Sequence, residues 1–198
     1  MSSSWLNKPV ISGRPQAVFL DRDGVINHDS PDYVTSWDQF AFLPGALEAI
    51  AALTAAAIDV IVVTNQSALA RGMMTPETLA DIHQRLIREV TRHGGRIRAI
   101  LHCPHHPDDH CACRKPEPGL ILKAQARFGL DLKQTVMIGD RATDMACGRR
   151  AGCGATILVQ SGLQDDHPRS REMGAAPDLV AADLAAAVRA LGEVRSET

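Results

Sequence analysis

The chain has few aromatic residues, no long apolar segment and no large excess of charge of one sign. Aromatic residues make up 4% of its 198 residues, and the formal net charge is -2. A chain with so little net positive charge is not suited to binding nucleic-acid phosphates. No apolar run approaches the roughly 20 residues that span a bilayer. The first nine residues lack the basic and apolar regions of a secretory signal. We therefore expect a cytoplasmic protein with neither nucleic acid nor membrane as a partner.

Cysteine is also scarce, and its distribution is uneven. Three of the five cysteines lie between residues 103 and 113. This crowding does not resemble the disulfide framework of a secreted protein, and in an intracellular protein it usually indicates metal binding. Cys147 and Cys153 fall in or just after a predicted helix, where a buried thiol is the ordinary interpretation and no function is assigned.

The order of apolar segments predicts one α/β domain that spans residues 1–198. Short aliphatic segments predict strands at residues 17–20, 59–64, 97–102, 135–138 and 155–158. Helices are predicted to begin at Pro44, Thr75 and Pro118, and to span residues 141–151 and 181–191. Repeated strand–helix alternation with short connections favours a mostly parallel, Rossmann-like sheet with helices on both faces. The polar segment 160–176 predicts a surface loop.

Three of the predicted strands end abruptly in polar side chains. Asp21 and Asp23 follow the first strand, Thr64 ends the second, and Asp140 follows the fourth. Buried parallel strands deliver the groups at their carboxyl ends to one edge of the sheet. Two aspartates separated by one residue place carboxylates within reach of the same metal and substrate, which indicates phosphoryl chemistry.

The order of these residues resembles the four motifs of the haloacid dehalogenase-like phosphatases over nearly the whole chain. Each motif alone is weak, because Asp-x-Asp usually marks a solvated turn and a Thr at a strand end is common. The residues that carry the resemblance are Asp21, Asp23, Gly24, Thr64, Lys115, Gly139, Asp140 and Asp144. The resemblance implies a phosphoric monoester hydrolase with a haloacid dehalogenase-like fold. The short segments between these motifs leave no room for a large cap domain.

The resemblance also implies a role for each motif residue. Asp21 would be the nucleophile that forms an aspartyl-phosphate, and Asp23 would be the general acid and base. Thr64 and Lys115 would bind the transferring phosphoryl oxygens. Mg²⁺ would be held by Asp21, by the backbone carbonyl of Asp23 and by Asp140.

The residues that follow the fourth strand have alternative interpretations. Asp140 could be the cap of the next helix, since Asp is favoured at that position. Asp144, one turn into the helix, could orient Lys115 or complement the helix dipole, and the sequence does not decide between these roles. Arg141 is a further candidate site residue with no assigned role.

A second constellation lies on the loop at residues 103–113. Its three cysteines and one histidine form a complete tetrahedral ligand set for Zn²⁺, with no position left for water. By the family pattern, the ligands would be Cys103, His105, Cys111 and Cys113. His106 and His110 are close enough in sequence to replace His105. A closed site implies a structural role, in which zinc folds the loop and positions Arg114 and Lys115.

The zinc loop ahead of Arg-Lys-Pro is similar to two branches of the family. These are the D-glycero-D-manno-heptose-1,7-bisphosphate 7-phosphatases and the histidinol-phosphate phosphatases. Segments 64–72 and 113–119 resemble the heptose branch, and histidinol-phosphate enzymes typically carry Asp where Ser67 stands. The five residues between His105 and Cys111, and the segment 139–144, also resemble the histidinol-phosphate branch.

We take the heptose branch as the sequence-based hypothesis. It implies removal of the 7-phosphate of heptose 1,7-bisphosphate to give heptose 1-phosphate, in ADP-heptose and lipopolysaccharide core synthesis. The alternative enzyme is a histidinol-phosphate phosphatase. The alternative of a different class is a non-catalytic, zinc-bearing binding module. We expect a small sugar phosphate as the only partner, and a monomer, because no long exposed apolar stripe is evident.

Several side chains are candidates for contacts with the substrate. The guanidinium of Arg114 matches a second, non-reacting phosphate in a two-pronged fashion. The other candidates are Asp29, Asp32, Tyr33, Asn65, Gln66 and Ser67. The first three of these could equally form an exposed turn, and the last three could cap the next helix.

Overall fold

The computed structural model of the protein describes residue 11 and residues 13–192. The segment that was assessed for a secretory signal and both ends of the predicted domain lie outside these residues. Six parallel strands form one sheet: β1 (Ala17–Leu20), β2 (Asp59–Asn65), β3 (Ile97–Cys103), β4 (Thr135–Gly139), β5 (Ala155–Val159) and β6 (Leu179–Ala181). Their spatial order is β3-β2-β1-β4-β5-β6. The predicted α/β fold class is therefore confirmed.

The helices cover both faces of this sheet. They are α1 (Ala46–Ala55), α2 (Pro76–Arg92), α3 (Gly119–Phe128), α4 (Ala142–Ala151), α5 (His167–Glu172) and α6 (Leu184–Gly192). Alternate residues of a strand point to opposite faces. Val18 and Leu20 of β1 accordingly join a core with α1, α2 and α6. Ala17 and Phe19 join a second core with α3 and Cys147 of α4.

The start of α2 follows the sequence signals closely. The hydroxyl of Thr75 accepts a hydrogen bond from the backbone N–H of Thr78 at 3.2 Å, and Pro76 occupies the first turn. This is the expected capping arrangement, since Pro lacks an N–H that would otherwise be unpaired. A buried apolar stripe along the helix consists of Leu79, Ile82, Leu86 and Val90. Its spacing of three and four residues fastens the helix to the sheet.

The expectation of a surface loop at residues 160–176 is wrong in part. The segment contains the short helix α5, in which Ser170 is fully buried, and β6 follows it at the sheet edge. The sequence of α5 has no apolar period, so its pattern does not predict a helix. Tertiary contacts of polar groups hold α5 in place instead. The helix α6 begins at Leu184, three residues after the predicted start, because Ala181 belongs to β6.

The described part of the chain contains neither a membrane-spanning helix nor a cap domain. Within residues 13–192, no helix is both long enough and apolar enough to cross a membrane. Between β1 and β2 lie α1 and one short 3-10 helix (Trp37–Gln39), and between β2 and β3 lies α2 alone. These connections contain no separate cap domain, in agreement with the sequence-based expectation.

Candidate active site

Three neighbouring strands bring the predicted polar residues to one edge of the sheet. Leu20 of β1 is in register with Val62 of β2 and with Ile138 of β4. The residues that follow these three positions therefore emerge side by side. In parallel sheets with this strand order, the chain runs in opposite directions across the sheet from β1, and the crevice at that point is where ligands bind.

A cavity of ≈ 690 Å³ lies over this edge. Most of the residues singled out in the sequence line it. They are Asp21, Asp23, Asp29, Tyr33, Thr64, Asn65, Gln66, Ser67, Arg114, Lys115 and Arg141. Asp32 is exposed and does not line the cavity. Asp140 and Asp144 are buried.

Lys115 is a buried cation held by three acceptors. Its Nζ lies 2.9 Å from Oδ1 of Asp21, 2.6 Å from Oδ1 of Asp144 and 3.0 Å from the backbone oxygen of Val63. Burial by itself would lower the pKa of Lys115, but the charges of Asp144 and Asp21 raise it above its ordinary value. The ammonium group therefore stays charged next to Asp21.

Asp144 combines the two roles that the sequence left open. One carboxylate oxygen pairs with Lys115, and the other accepts the backbone N–H of Arg141 at 3.0 Å. The second contact caps α4, where a carboxylate also complements the helix dipole. Because both oxygens are engaged, Asp144 is a support for Lys115.

Asn65 has a contact that the sequence did not indicate. Its side-chain oxygen accepts the backbone N–H of Lys115 at 3.1 Å, and its amide donates to the backbone oxygen of Lys115 at 3.2 Å. This pair of bonds fixes the loop that carries Lys115 to the end of β2. Asn65 thereby positions a candidate catalytic side chain as well as lining the cavity.

The carboxylate of Asp23 is held by four hydrogen bonds. Oδ1 accepts from Arg22 Nη2 at 2.9 Å, from Arg22 Nε at 3.3 Å and from Asn27 Nδ2 at 2.9 Å. Oδ2 accepts from Nε2 of Gln66 at 2.9 Å, and the same amide lies 2.9 Å from Oγ1 of Thr64. Burial raises the pKa of Asp23, but the charge and hydrogen bonds of Arg22 and those of the two amides outweigh it and hold the pKa below its usual value.

Arg22 and Asn27 are site residues that the sequence analysis missed. Arg22 is 1% exposed, its guanidinium lies 5.9 Å from the centre of the Phe40 ring, and Asn27 is fully buried. A basic residue between two aspartates was the available signal for the first. The contact of Asn27 with Asp23 depends on how the loop after β1 folds, so the sequence does not predict it.

The carboxylates at this edge fit a hard divalent cation. Oxygens of Asp21, Asp140 and Asp144 lie within 4.8 Å of one another. Lys115 contacts Asp21 and Asp144, and Nε of Arg141 lies 3.8 Å from Oδ2 of Asp140, so three carboxylates face two cations here. Burial, followed by the charges of Asp144 and Asp21, raises the pKa of Asp140 to about 9. Oδ1 of Asp140 is buried and has no hydrogen-bond partner among the described residues. Oxygen-rich, negatively charged donor sets of this kind suit Mg²⁺. Asp21 and Asp140 are the side chains that would hold it.

Two glycines make room for the Asp140 carboxylate. A Cβ built on Gly24 or on Gly162 would overlap the carboxylate of Asp140. Gly24 has φ +80°, so a substitution there would also strain the backbone. Gly162 carries no such strain, and its effect is therefore one of space alone.

We expect Gly162→Ala to weaken magnesium binding. The added methyl group must displace the Asp140 carboxylate, and the magnesium concentration for half-maximal activity should rise by about 10-fold or more, as disturbed metal surroundings commonly cause. Titration of phosphate release with magnesium measures this. Gly192→Ala is the control, because a Cβ there meets nothing within 4 Å. Equal magnesium requirements for the two variants would contradict the role assigned to Gly162.

The zinc-loop residues also converge. Sγ of Cys103 and Sγ of Cys111 are 3.5 Å apart, as are those of Cys111 and Cys113. Nδ1 of His105 lies 3.5 Å from Cys103 and 3.3 Å from Cys113. A tetrahedral zinc with Zn–S distances of about 2.3 Å separates its sulfur ligands by about 3.8 Å, so the cluster is of the right size.

The other histidines of the loop have different surroundings. Nδ1 of His106 accepts the backbone N–H of Asp108 at 3.4 Å, which begins the 3-10 helix Pro107–Asp109. His110 lines the cavity. His105 is the histidine in the cluster. The thiols of Cys147 and Cys153 are buried. Burial raises the pKa of Cys147 to about 12 and that of Cys153 to about 11, which disfavours the reactive thiolate.

Comparison with known proteins relates this geometry to characterised enzymes. The family model described as HAD-hyrolase-like matches residues 112–187. A D-glycero-beta-D-manno-heptose-1,7-bisphosphate 7-phosphatase from Bordetella bronchiseptica is 47% identical over 145 residues, which cover 73% of this chain and 80% of that protein. The enzyme of the same name from Pseudomonas putida is 38% identical over 175 residues, covering 88% and 98%.

A solved structure is similar over most of its length. The crystal structure of D,D-heptose 1.7-bisphosphate phosphatase from B. bronchiseptica, complexed with magnesium and phosphate, has a TM-score of 0.82 and 42% sequence identity. The match covers 90% of this chain and 98% of that one. The two chains are therefore similar in fold and in length as well as in sequence.

Proposed function

The chain belongs to the D-glycero-beta-D-manno-heptose-1,7-bisphosphate 7-phosphatase family, and on this premise we propose that it hydrolyses the 7-phosphate of D-glycero-D-manno-heptose 1,7-bisphosphate. One observation carries the proposal. At the floor of the cavity, Asp21 is paired with Lys115, and Asp23 is fixed by Arg22, Asn27 and Gln66. The candidate nucleophile and the candidate acid thus lie on the loop after β1, and the candidate phosphate ligand Lys115 reaches them from the loop after β3.

Asp21 attacks phosphorus in the first step. Its Oδ forms a bond to the 7-phosphoryl group while the bond from phosphorus to the sugar oxygen breaks, which gives an aspartyl-phosphate and the free hydroxyl. The backbone N–H of Arg22 donates to Oδ1 of Asp21 at 2.7 Å and fixes the carboxylate. This contact leaves Oδ2 as the candidate attacking atom.

Asp23 acts as the general acid in the first step and as the general base in the second. It donates a proton to the departing sugar oxygen and later takes one from the water that hydrolyses the aspartyl-phosphate. The four hydrogen bonds to its carboxylate hold it in one orientation. They also favour the charged form, which is the form that serves as base in the second step.

Lys115 and Thr64 bind the transferring oxygens. Lys115 supplies positive charge, and the Oγ1 of Thr64, held by Gln66, supplies a hydroxyl. Mg²⁺ held by Asp21 and Asp140, when bound, would supply further charge that offsets the repulsion between the Asp21 carboxylate and the phosphate. Groups of this kind, already in place before the reaction, account for most of the stabilisation of a phosphoryl transition state.

The zinc loop has a structural part in this proposal. Cys113 directly precedes Arg114 and Lys115, so a metal held by the four ligands anchors one end of the segment that carries both cations. Asn65 anchors it at Lys115. Arg114 lines the cavity and is the first candidate for the non-reacting phosphate.

We further propose a monomer that acts in the cytoplasm, with a small phosphosugar as its partner. The free thiols of the zinc loop suit a reducing compartment. The place in ADP-heptose and lipopolysaccharide core synthesis follows from the family resemblance and stays a prediction. None of these points affects the chemistry at Asp21.

The test of the proposed function is phosphate release on one preparation with two substrates. We expect kcat/KM for heptose 1,7-bisphosphate to exceed that for histidinol phosphate by at least about 100-fold, since a site built for a second phosphate gains little from an imidazole. A preference for histidinol phosphate would assign the chain to the other branch. No release from either compound would favour a binding module.

A further inference from the structure

Arg169 on α5 has no part in the motifs, yet it lines the active-site cavity. The sequence pattern does not indicate this position, because segment 160–176 is predicted to be a surface loop. We propose that Arg169 and Arg114 together bind the non-reacting phosphate of a bisphosphorylated sugar. This inference rests on the proposed function and adds a residue that determines its specificity.

The first support is the distribution of charge on the cavity wall. Five carboxylates line the cavity, and each has a partner: Asp21 with Lys115, Asp23 with Arg22, Asp29 with Arg141, Glu117 with Arg150, and Asp166 with the backbone N–H of Ala142. These contacts also occupy three of the five cationic side chains on the wall. Within residues 13–192, Arg114 and Arg169 are the two wall cations that form no ion pair.

The second support is the state of the Arg114 guanidinium. Its Nη1 is buried and has no hydrogen-bond partner among the described residues. A buried donor without a partner costs free energy. Arg114 also lines the cavity, so an anion bound there is the candidate acceptor for its guanidinium. One guanidinium satisfies two oxygens of a phosphate, and a dianion has room for a second donor. Arg169 is the other cation that lines this cavity and forms no ion pair within the described part of the chain.

The third support is the way α5 is fixed. Oδ2 of Asp166 accepts the backbone N–H of Ala142 at 2.9 Å, which ties the start of α5 to the start of α4. Ser170 is fully buried, and its hydroxyl donates to the backbone oxygen of His167 at 2.7 Å. Arg169 therefore lies on a helix that is attached to the start of α4, the helix that carries Asp144. Because the backbone of α5 is held in place, the exposed Arg169 side chain stays at the cavity and loses less entropy when it binds a ligand.

The ligand class follows from the positions of the two kinds of phosphate site. The reacting phosphate is bound next to Asp21 by Lys115, whose charge is already shared with Asp144. A second anionic group on the same molecule needs cations that are not engaged in this way. A sugar with phosphates on two different carbons meets both requirements, whereas a monophosphate leaves Arg114 and Arg169 without an acceptor.

The test compares Arg169→Gln with Arg171→Gln. Arg171 lies on the same helix and does not line the cavity. We expect Arg169→Gln to lower kcat/KM for heptose 1,7-bisphosphate, relative to that for p-nitrophenyl phosphate, by about 10- to 100-fold, the usual effect of one charge-assisted hydrogen bond. Arg171→Gln should keep the wild-type ratio. An unchanged ratio in Arg169→Gln would overturn the inference.

A second readout separates this inference from the identity of the substrate. Mannose 1,6-bisphosphate and mannose 6-phosphate are used as inhibitors of p-nitrophenyl phosphate hydrolysis. We expect Arg169→Gln to raise the inhibition constant of the bisphosphate by more than that of the monophosphate. If the wild type does not hydrolyse the heptose compound but this difference remains, the proposed substrate fails and the phosphate subsite stands. Equal changes for both inhibitors would overturn the subsite.

Discussion

Replacing Asp21 with Asn is expected to abolish phosphate release, with a loss in kcat of about 10⁴-fold or more, the scale seen when a covalent nucleophile is removed. The amide has nearly the shape of the carboxylate and keeps an oxygen to accept the backbone N–H of Arg22. It lacks the charge that makes the oxygen nucleophilic. It also cannot form the acyl phosphate that water hydrolyses in the second step.

The same substitution should not weaken the fold. Asp21, Asp140 and Asp144 are buried within 4.8 Å of one another, so removal of one charge relieves repulsion, although it also removes one partner of Lys115. We therefore expect the Tm without magnesium to be unchanged or higher. Loss of activity with retained stability is typical of residues kept for function at some cost in stability.

Two controls make the result specific. Asp38→Asn removes an exposed carboxylate outside the cavity and should retain wild-type turnover. In acid-quenched mixtures with labelled substrate, wild-type protein should carry a covalent phosphoryl group and Asp21→Asn should carry none. A labelled Asp21→Asn protein would assign the nucleophile to another residue. Turnover within about 10-fold of wild type, a change of roughly 1.4 kcal/mol in the activation free energy, would do the same.

The edge of the sheet was predictable from sequence because strand ends carry a strong local signal. Asp21, Thr64 and Asp140 each follow a run of buried aliphatic residues, and a parallel sheet has to deliver them to the same edge. The second cluster was predictable for a similar reason, because one short loop holds all four of its ligands: Cys103, His105, Cys111 and Cys113.

The contacts between loops were not predictable in this way. Asp23 is held by Gln66 from the loop after β2, at a separation of 43 residues, and the loop of Lys115 is held by Asn65 at a separation of 50. Amides at a strand end have several common uses, and only the fold decides among them. From sequence alone, Asn65 and Gln66 are therefore predicted to be substrate contacts or helix caps.

The helix α5 shows a second limit of sequence patterns. Its six residues contain no apolar face, and it is held by the polar contacts of Asp166 and Ser170. Pattern methods find helices through buried apolar periods, so a helix fixed by hydrogen bonds is read as a loop. The position of Arg169 at the cavity could be recognised only once α5 was in place.

Replacing Cys111 with Ser is expected to remove zinc and to reduce kcat by about 100-fold, the cost of misplacing catalytic groups by roughly 1 Å. The loop from residue 103 to residue 113 has a short 3-10 helix as its one regular element. Its order therefore depends on the metal, because zinc binding supplies folding free energy to such segments. Without that order, the backbone of Lys115 keeps its two hydrogen bonds to Asn65 but loses the anchor at Cys113.

The measurements are bound zinc per chain by mass spectrometry, Tm and kcat, each with Cys153→Ala as the control for loss of a buried thiol. Cys153 lies outside the cluster, so its variant should keep zinc and turnover even if packing costs about 1 kcal/mol of stability. Should Cys111→Ser fail to fold, a chelator applied to the wild-type protein, followed by zinc, gives the same comparison. Full activity after zinc removal would contradict a structural role, because Arg114 and Lys115 would then be positioned without the metal.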